Sequence, residues 1–280
     1  MTEVLSGKEL AREIKDEVAD SVKQLQASGT DPSLSVVVAT ADETTDFYVR
    51  HITKAALAAG IKADVVRLST TAMEDELAAT LTKLAGDKSV HGIILQTPLP
   101  TGVDVERLRS LIPPEKDVDG ANPLSAGRLL CGMEAFAPTT ALAVMAILDY
   151  HDIPVSGTHA VIVGRSLVVG KPLAHLLLAA DATVTVCHSK TRELAQVTRK
   201  ADILVVAIGK AQFITADYIK PDGIVIDVGT NVHDDGSLVG DVDSQSVHEV
   251  AGALSPVPGG VGPVTTALLL KQTVEAAKTL

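Results

Sequence analysis

The residues with the most chemical content follow an apolar run at 159–163. There His159-Ala-Val-Ile-Val163 gives way to Gly164-Arg165-Ser166-Leu167-Val168-Val169-Gly170, and then to a helical segment beginning Lys171-Pro172-Leu173. The segment reads strand, turn, helix: Gly164 ends the strand, and Gly170 opens a helix whose first amides can meet a pyrophosphate. The spacing is not G-x-G-x-x-G, and a glycine-bearing turn alone is equally an ordinary strand-to-helix connection. The next strand carries more weight. NAD-specific dinucleotide folds place Asp or Glu about 20 residues further on, against the ribose 2′-hydroxyl. Here the strand at 183–188 runs into Cys187-His188-Ser189-Lys190, with no acid to repel a 2′-phosphate. Arg165, and Ser189 with Lys190, stand at the ends of neighbouring predicted strands, where they can hold that phosphate. These residues favour NADP over NAD as cofactor. The competing reading makes Arg165, His188 and Lys190 solvated loop polars. Thr230 and Asn231, after the run at 223–229, either line the same edge or form a plain turn.

Bringing those loops together requires a parallel sheet. β-branched runs at 35–39, 63–68, 91–96, 159–164, 183–188, 203–209 and 223–229 read as buried parallel strands, and the segments between them carry helical spacing, with Gly29, Gly60 and Gly86 as C-terminal stops. The fold class is α/β, doubly wound. A Pro-, Gly- and Asp-rich stretch at 97–138 separates three strands from four, which predicts two α/β domains. Residues 1–140, with a C-terminal helix at 262–280 crossing back, form the first, and residues 141–261 form a Rossmann-like second. The long stretch, with a glycine-rich turn at 256–263, is expected to face an interdomain cleft.

Composition removes other function classes. With 24 Lys plus Arg against 35 Asp plus Glu, three Tyr, three Phe and no Trp, the chain lacks the basic, aromatic footprint of a nucleic-acid or anionic-membrane binder. No apolar run approaches a membrane span, and the N-terminus mixes acids and bases where a signal peptide needs an apolar region. Cys131 and Cys187 form no metal-type pair, so no metal is expected, and the cytoplasm is the default location.

Four segments together resemble the bifunctional methylenetetrahydrofolate dehydrogenase/methenyltetrahydrofolate cyclohydrolase family: GIILQTPLP at 92–100, PPEKDVDGANP at 113–123, VIVGRSLVVGKPL at 161–173 and SPVPGGVGPVTTALLL at 255–270. CHSKT at 187–191 and GIVIDVGTN at 223–231 match as well, and the resemblance is collinear along the whole chain. It implies a two-domain α/β homodimer with a tetrahydrofolate derivative as substrate in the cleft, and NADP on the second domain at Gly164, Arg165, Ser166, Ser189 and Thr230. By matching position, Gln96 and Asp119 resemble the family's polar folate-site residues and Tyr48 its folate-stacking tyrosine. Pro258, Gly259 and Gly260 resemble its pterin-side turn. On general grounds Gln96 is alternatively a structural amide, Asp119 a turn-former, and the two glycines a turn into the last helix.

The departures matter as much. The family's tyrosine helix reads Tyr-x-x-x-Lys, with that lysine tied to the chemistry of the folate ring, and here the fourth residue after Tyr48 is Ile52. At ~100° per residue Ile52 shares the face of Tyr48 and Lys54 does not. His51 is the nearest titratable substitute, or else a solvent-facing histidine. Thr40-Ala41-Asp42-Glu43-Thr44-Thr45 replaces the family's Gly-Asp-x-Pro-x-Ser, and Pro138-Thr139-Thr140-Ala141 replaces its Pro-Cys-Thr-Pro. The expected activity is NADP-linked dehydrogenation with weak or absent cyclohydrolase. A fully bifunctional enzyme and a non-catalytic folate- or nucleotide-binding paralogue stand as alternatives.

Overall fold

The computed structural model of the chain describes residues 2–232 and 236–280. Its elements in chain order are β1 (Glu3–Val4), α1 (Lys8–Ala27), β2 (Ser33–Val38), α2 (Glu43–Ala58), β3 (Lys62–Arg67), α3 (Glu74–Gly86), β4 (Gly92–Leu95), α4 (Val105–Arg109), α5 (Pro123–Leu130) and α6 (Thr139–Tyr150). There follow β5 (His159–Val163), α7 (Gly170–Ala179), β6 (Thr183–Cys187), α8 (Leu194–Thr198), β7 (Ile203–Val206), β8 (Ile224–Asp227), β9 (Asn231–Val232), β10 (Leu238–Val239), α9 (Ser244–Val247), β11 (Ala253–Leu254) and α10 (Val261–Thr279). They cluster into two compact units, Met1–Ala11 with Thr140–Thr265 and Arg12–Thr139 with Thr266–Leu280.

The first of these units is built on a six-stranded sheet in the order β1-β11-β8-β7-β5-β6, every pairing parallel. After β1 at the far edge, the chain re-enters the sheet at β5, steps outward to β6, then returns past β5 to β7 and β8. The strand order therefore reverses between β5 and β7, the switch point at which open α/β sheets bind ligands. Central strands β5 and β7 are almost wholly buried, while β6 at the edge is not, as expected where helices cover both faces. Residues 1–11 belong to this unit, not to the first domain as expected from the sequence, because Glu3 and Val4 pair with Ala253 and Leu254. Strands two residues long carry no periodicity of their own.

The other unit carries the parallel sheet β3-β2-β4. Val37, Leu77, Leu81, Ile93, Leu108 and Ile112 form its core under α3 and α4. The stretch expected to be irregular contains two short helices, α4 and α5, each started by a capping side chain: Asp104 on the Glu106 and Arg107 amides, Asn122 on the Leu124 amide. Gly29 and Gly60 follow their helices at positive φ, as a C-terminal stop requires, whereas Gly86 is the last residue of α3.

Within this unit one side chain ties three segments. The Gln272 amide on α10 donates to the carbonyls of Val118 (2.6 Å) and Ala137 (3.1 Å), and all three groups are buried. Gly120, at φ +63°, lets residues 136–138 pass, since a Cβ there would overlap the backbone of Ala137. Gln272→Met keeps the shape but orphans both carbonyls. It should lower the unfolding free energy by about 1–3 kcal/mol in urea titrations; an unchanged midpoint would contradict the clamp.

Candidate active site

The segment Lys116-Asp117-Val118-Asp119-Gly120 assigns its charged side chains to different tasks. Lys116 is buried, and its Nζ donates to the carbonyls of Ala85 (3.0 Å) and Asp87 (2.7 Å) at the end of α3. Asp117 builds the turn: it accepts from the amides of Ala121 (2.9 Å) and Asn122 (2.8 Å) and from Ser125 Oγ (2.7 Å). The turn-forming role open to Asp119 in the sequence is thus filled by its neighbour. Among the described residues, the Asp119 carboxylate accepts one hydrogen bond, from Thr139 Oγ1 at 3.1 Å. Burial, then the charge of Asp117, pushes its pKa up to about 6, against the Thr139 bond and the charge of Arg109.

Arg109 is a cation the sequence reading did not single out, because it sits on a short helix that looks solvent-facing. Its side chain is only 12% exposed. One guanidinium nitrogen bonds Glu106 (2.8 Å), while its buried Nε has no hydrogen-bond partner among the described residues. Asn122 Nδ2 holds the end of α4 through the carbonyls of Ile112 (2.7 Å) and Arg109 (3.4 Å), which keeps that cation beside the two aspartates.

Helix α2 begins in the polar segment 40–45. Asp42 caps it, accepting from the Thr45 amide (2.7 Å) and hydroxyl (2.8 Å). One turn on, Tyr48 is half-buried, and burial followed by the negative charge of Asp119 raises its phenol pKa. The charge of Asp119 thus acts on the Tyr48 phenol. Ile52, on the same helical face, is 0% exposed and belongs to the core with Val49 and Ala56. Lys54 is exposed on another face. His51 is exposed as well, and its pKa is lowered by partial burial and then by the charges of Lys15 and Lys54. Gln96 follows β4 and is half-buried; its amide nitrogen donates to the carbonyl of Thr97 (3.1 Å), and no hydrogen bond joins it to Tyr48 or Asp119 among the described residues.

In the six-stranded unit the turn at 164–170 is compact. Gly164 sits at φ +136°, and a Cβ there would overlap the carbonyl of Ala207; a Cβ on Gly170 would overlap the carbonyl of Gly164. Ser166 folds the turn, its hydroxyl accepting from the amides of Val169 (3.1 Å) and Gly170 (3.4 Å). Arg165, Ser189, Lys190 and Thr230 are all exposed, and they follow β5, β6 and β8 at one edge of the sheet. His188 is occupied by its own loop, with Nδ1 accepting from the Lys190 amide (3.1 Å). The edge thus offers a glycine turn at a helix start, with a guanidinium and a hydroxyl on adjacent strand ends, a donor set that fits a phosphorylated dinucleotide. The turn holding Pro258, Gly259 and Gly260 packs on the chain itself. Gly7 donates to the Gly259 carbonyl (2.9 Å), and a Cβ on Gly259 would lie 2.8 Å from Lys8 Cε.

The raised Asp119 pKa has a sign that can be measured. Its unfolded value is about 3.9, so between about 4 and 6 the folded chain binds more protons than the unfolded one. This contribution is fully present below about 4 and is lost as pH rises through about 6. Asp119→Asn removes the titration while keeping an acceptor for Thr139. The variant should therefore gain stability relative to the parent between pH 4 and pH 7 in urea titrations, whereas a pH-independent difference would contradict the burial argument.

Comparison with known proteins agrees with this geometry. Residues 5–119 match the family model described as tetrahydrofolate dehydrogenase/cyclohydrolase, catalytic domain, and residues 138–280 match that described as tetrahydrofolate dehydrogenase/cyclohydrolase, NAD(P)-binding domain. The chain is 55% identical over 276 residues to bifunctional protein FolD 1 of Saccharopolyspora erythraea, covering 99% of this chain and 94% of that protein. It superposes with TM-score 0.96 and 40% identity on the bifunctional FolD methylenetetrahydrofolate dehydrogenase/cyclohydrolase from Campylobacter jejuni, covering 100% and 99% of the two chains. The Trypanosoma brucei FolD enzyme, solved with NADP cofactor and inhibitor, matches with TM-score 0.95 and 36% identity over 99% and 98%. A glycine turn at the strand-order switch point of one parallel sheet, Asp119 beside Tyr48 in the other unit, and these matches over the full length lead to one conclusion: the chain belongs to the tetrahydrofolate dehydrogenase/cyclohydrolase family.

Proposed function

We propose that the chain oxidises 5,10-methylenetetrahydrofolate to 5,10-methenyltetrahydrofolate with NADP, and that its hydrolysis of the methenyl product to 10-formyltetrahydrofolate is weak. The observation that carries this reading is the pairing of an ionisable Asp119 beside Tyr48 with a buried Ile52 one turn further along α2. Bound NADP supplies the hydride acceptor. Arg165 and Ser189 hold its 2′-phosphate, and Gly164, Ser166 and Thr230 shape the backbone around the rest. Tyr48 stacks on the folate and Gln96 orients it.

Loss of hydride leaves a cation that the two flanking folate nitrogens delocalise, so no protein acid or base is required. Asp119 contributes negative potential where that charge develops. Hydrolysis differs, because the attacking water must lose a proton while a ring nitrogen gains one. An apolar side chain relays neither, and the absence of a positioned acid or base typically costs about 10²–10⁴-fold in rate. His51 lies exposed, off the face shared by Tyr48 and Ile52, and on this reading does not replace it. The same reading makes the protein a cytoplasmic homodimer.

Two outcomes test the assignment. Ile52→Lys should raise methenyltetrahydrofolate hydrolysis by about tenfold or more, with little change in dehydrogenase turnover, because a lysine stem follows much of the isoleucine path before its ammonium. Rapid hydrolysis by the unmutated protein would overturn the reading, and its loss in His51→Ala would assign the proton relay to His51. For the cofactor, NADP should be used far better than NAD, and Arg165→Ala should weaken NADP by about 10- to 100-fold, the loss of a charge-assisted hydrogen bond, while barely touching NAD. Equal use of both nucleotides by the unmutated protein would sink the 2′-phosphate assignment.

A further inference from the structure

The six-stranded unit buries two carboxylates that the reaction does not use, Asp227 at 3% exposure and Asp241 at 0%. Neither has an ion pair among the described residues. Their charge is met by N–H groups instead. Asp241 accepts from the amides of Ile208 (2.6 Å), Gly209 (3.0 Å) and Lys210 (2.8 Å), and from Asn231 Nδ2 (3.0 Å). Asp227 accepts from the amides of Gly229 (2.9 Å), Asp241 (3.0 Å) and Val242 (2.9 Å). The two groups interlock through glycines, since a Cβ on Gly229 would overlap the Asp241 carboxylate and one on Gly240 would overlap that of Asp227. Burial, opposed by those amides and reinforced by the charge of Asp241, lifts the Asp227 pKa to about 6.

What this pair holds is the backbone leaving β7, at 208–210, and the backbone leaving β8, at 229–231. Both segments emerge at the sheet edge that carries the glycine turn, on the opposite side of the switch point from β6. In a dinucleotide fold of two mononucleotide halves, the first turn and second strand take the pyrophosphate and the adenosine ribose. The ends of β7 and β8 are left for the other half. We propose that the Asp227–Asp241 pair is a positioning device that fixes the loops receiving the nicotinamide half of the cofactor. This deepens the NADP reading and rests on it.

The test separates the two halves of the ligand. Asp241→Asn replaces one acceptor oxygen with a carboxamide NH2 donor, leaving backbone amide donors unmet on that side. NADP affinity should fall by about tenfold, the effect of one buried hydrogen bond, with a parallel drop in kcat. The inhibition constant of 2′,5′-ADP, which carries only the adenosine half, should not move. Equal weakening of both ligands would make the pair a general structural support and overturn the proposal, as would no change in either. If Asp241→Asn does not fold, Asn231→Ala removes a single half-buried donor and should shift NADP in the same direction by about two- to threefold, again sparing 2′,5′-ADP. Failure of 2′,5′-ADP to bind the unmutated protein would instead refute the NADP reading. The comparison is then run with NAD and 5′-AMP, and the same outcomes decide the role of the pair.

Discussion

A carboxylate withdrawn from water must be paired, hydrogen-bonded or protonated, and half-buried Asp119 has little of the first two. One hydroxyl reaches it, a second carboxylate lies beside it, and Arg109 is the cation nearby. On the face of α2 that carries Tyr48, the next position is a core isoleucine. An under-compensated carboxylate interacts more favourably with a cation that develops during reaction than with a neutral ground state, which is the condition for lowering a barrier. On the proposed function that cation is the methenyl product. On the same proposal, the apolar wall at Ile52 leaves no group there to move protons afterwards, so one residue would favour one half-reaction over the other.

Keeping such a carboxylate in place is costly, and the unit meets that cost by backbone constraint. Asp117 closes the turn that follows, Lys116 is anchored on α3, Gly120 makes room for residues 136–138, and Gln272 from the last helix clamps both strands of this crossing. Thr139 is the residue this crossing delivers to Asp119. The six-stranded unit solves a similar problem differently: Asp227 and Asp241 have no counter-ion among the described residues and are satisfied by amides, so their charge orders loops. In both units a buried carboxylate is used to specify backbone, and Asp119 is the one left with capacity to spare.

The seven principal strands were legible because each carries a β-branched apolar run, although edge strands β3 and β6 are only partly buried, and their alternation with helical segments implies parallel pairing. β1 and β11 were not, because two residues become a strand only when a partner is present. The glycine turn, Arg165 and Ser189 could be read from spacing. Asp117 and Asp119 could not be told apart that way, since D-V-D-G offers two aspartates to one turn and only the amides of Ala121 and Asn122 reveal which is taken. Asp227 and Asp241 resemble turn aspartates in sequence, next to glycines that seem to serve the chain's bend but in fact make room for the carboxylates. Arg109, three residues after a matching glutamate on a five-residue helix, looks like a surface ion pair, and only its burial shows otherwise.

The most direct measurement follows 5,10-methylenetetrahydrofolate and NADP with the unmutated protein at two wavelengths, one for reduced nucleotide and one for methenyltetrahydrofolate. The account predicts that both rise together and that, once substrate is spent, the methenyl signal decays at the rate seen in buffer without protein. Reduced nucleotide rising while the methenyl signal stays near zero would mean that hydrolysis keeps pace with oxidation, and would contradict the separation of the two activities at Ile52.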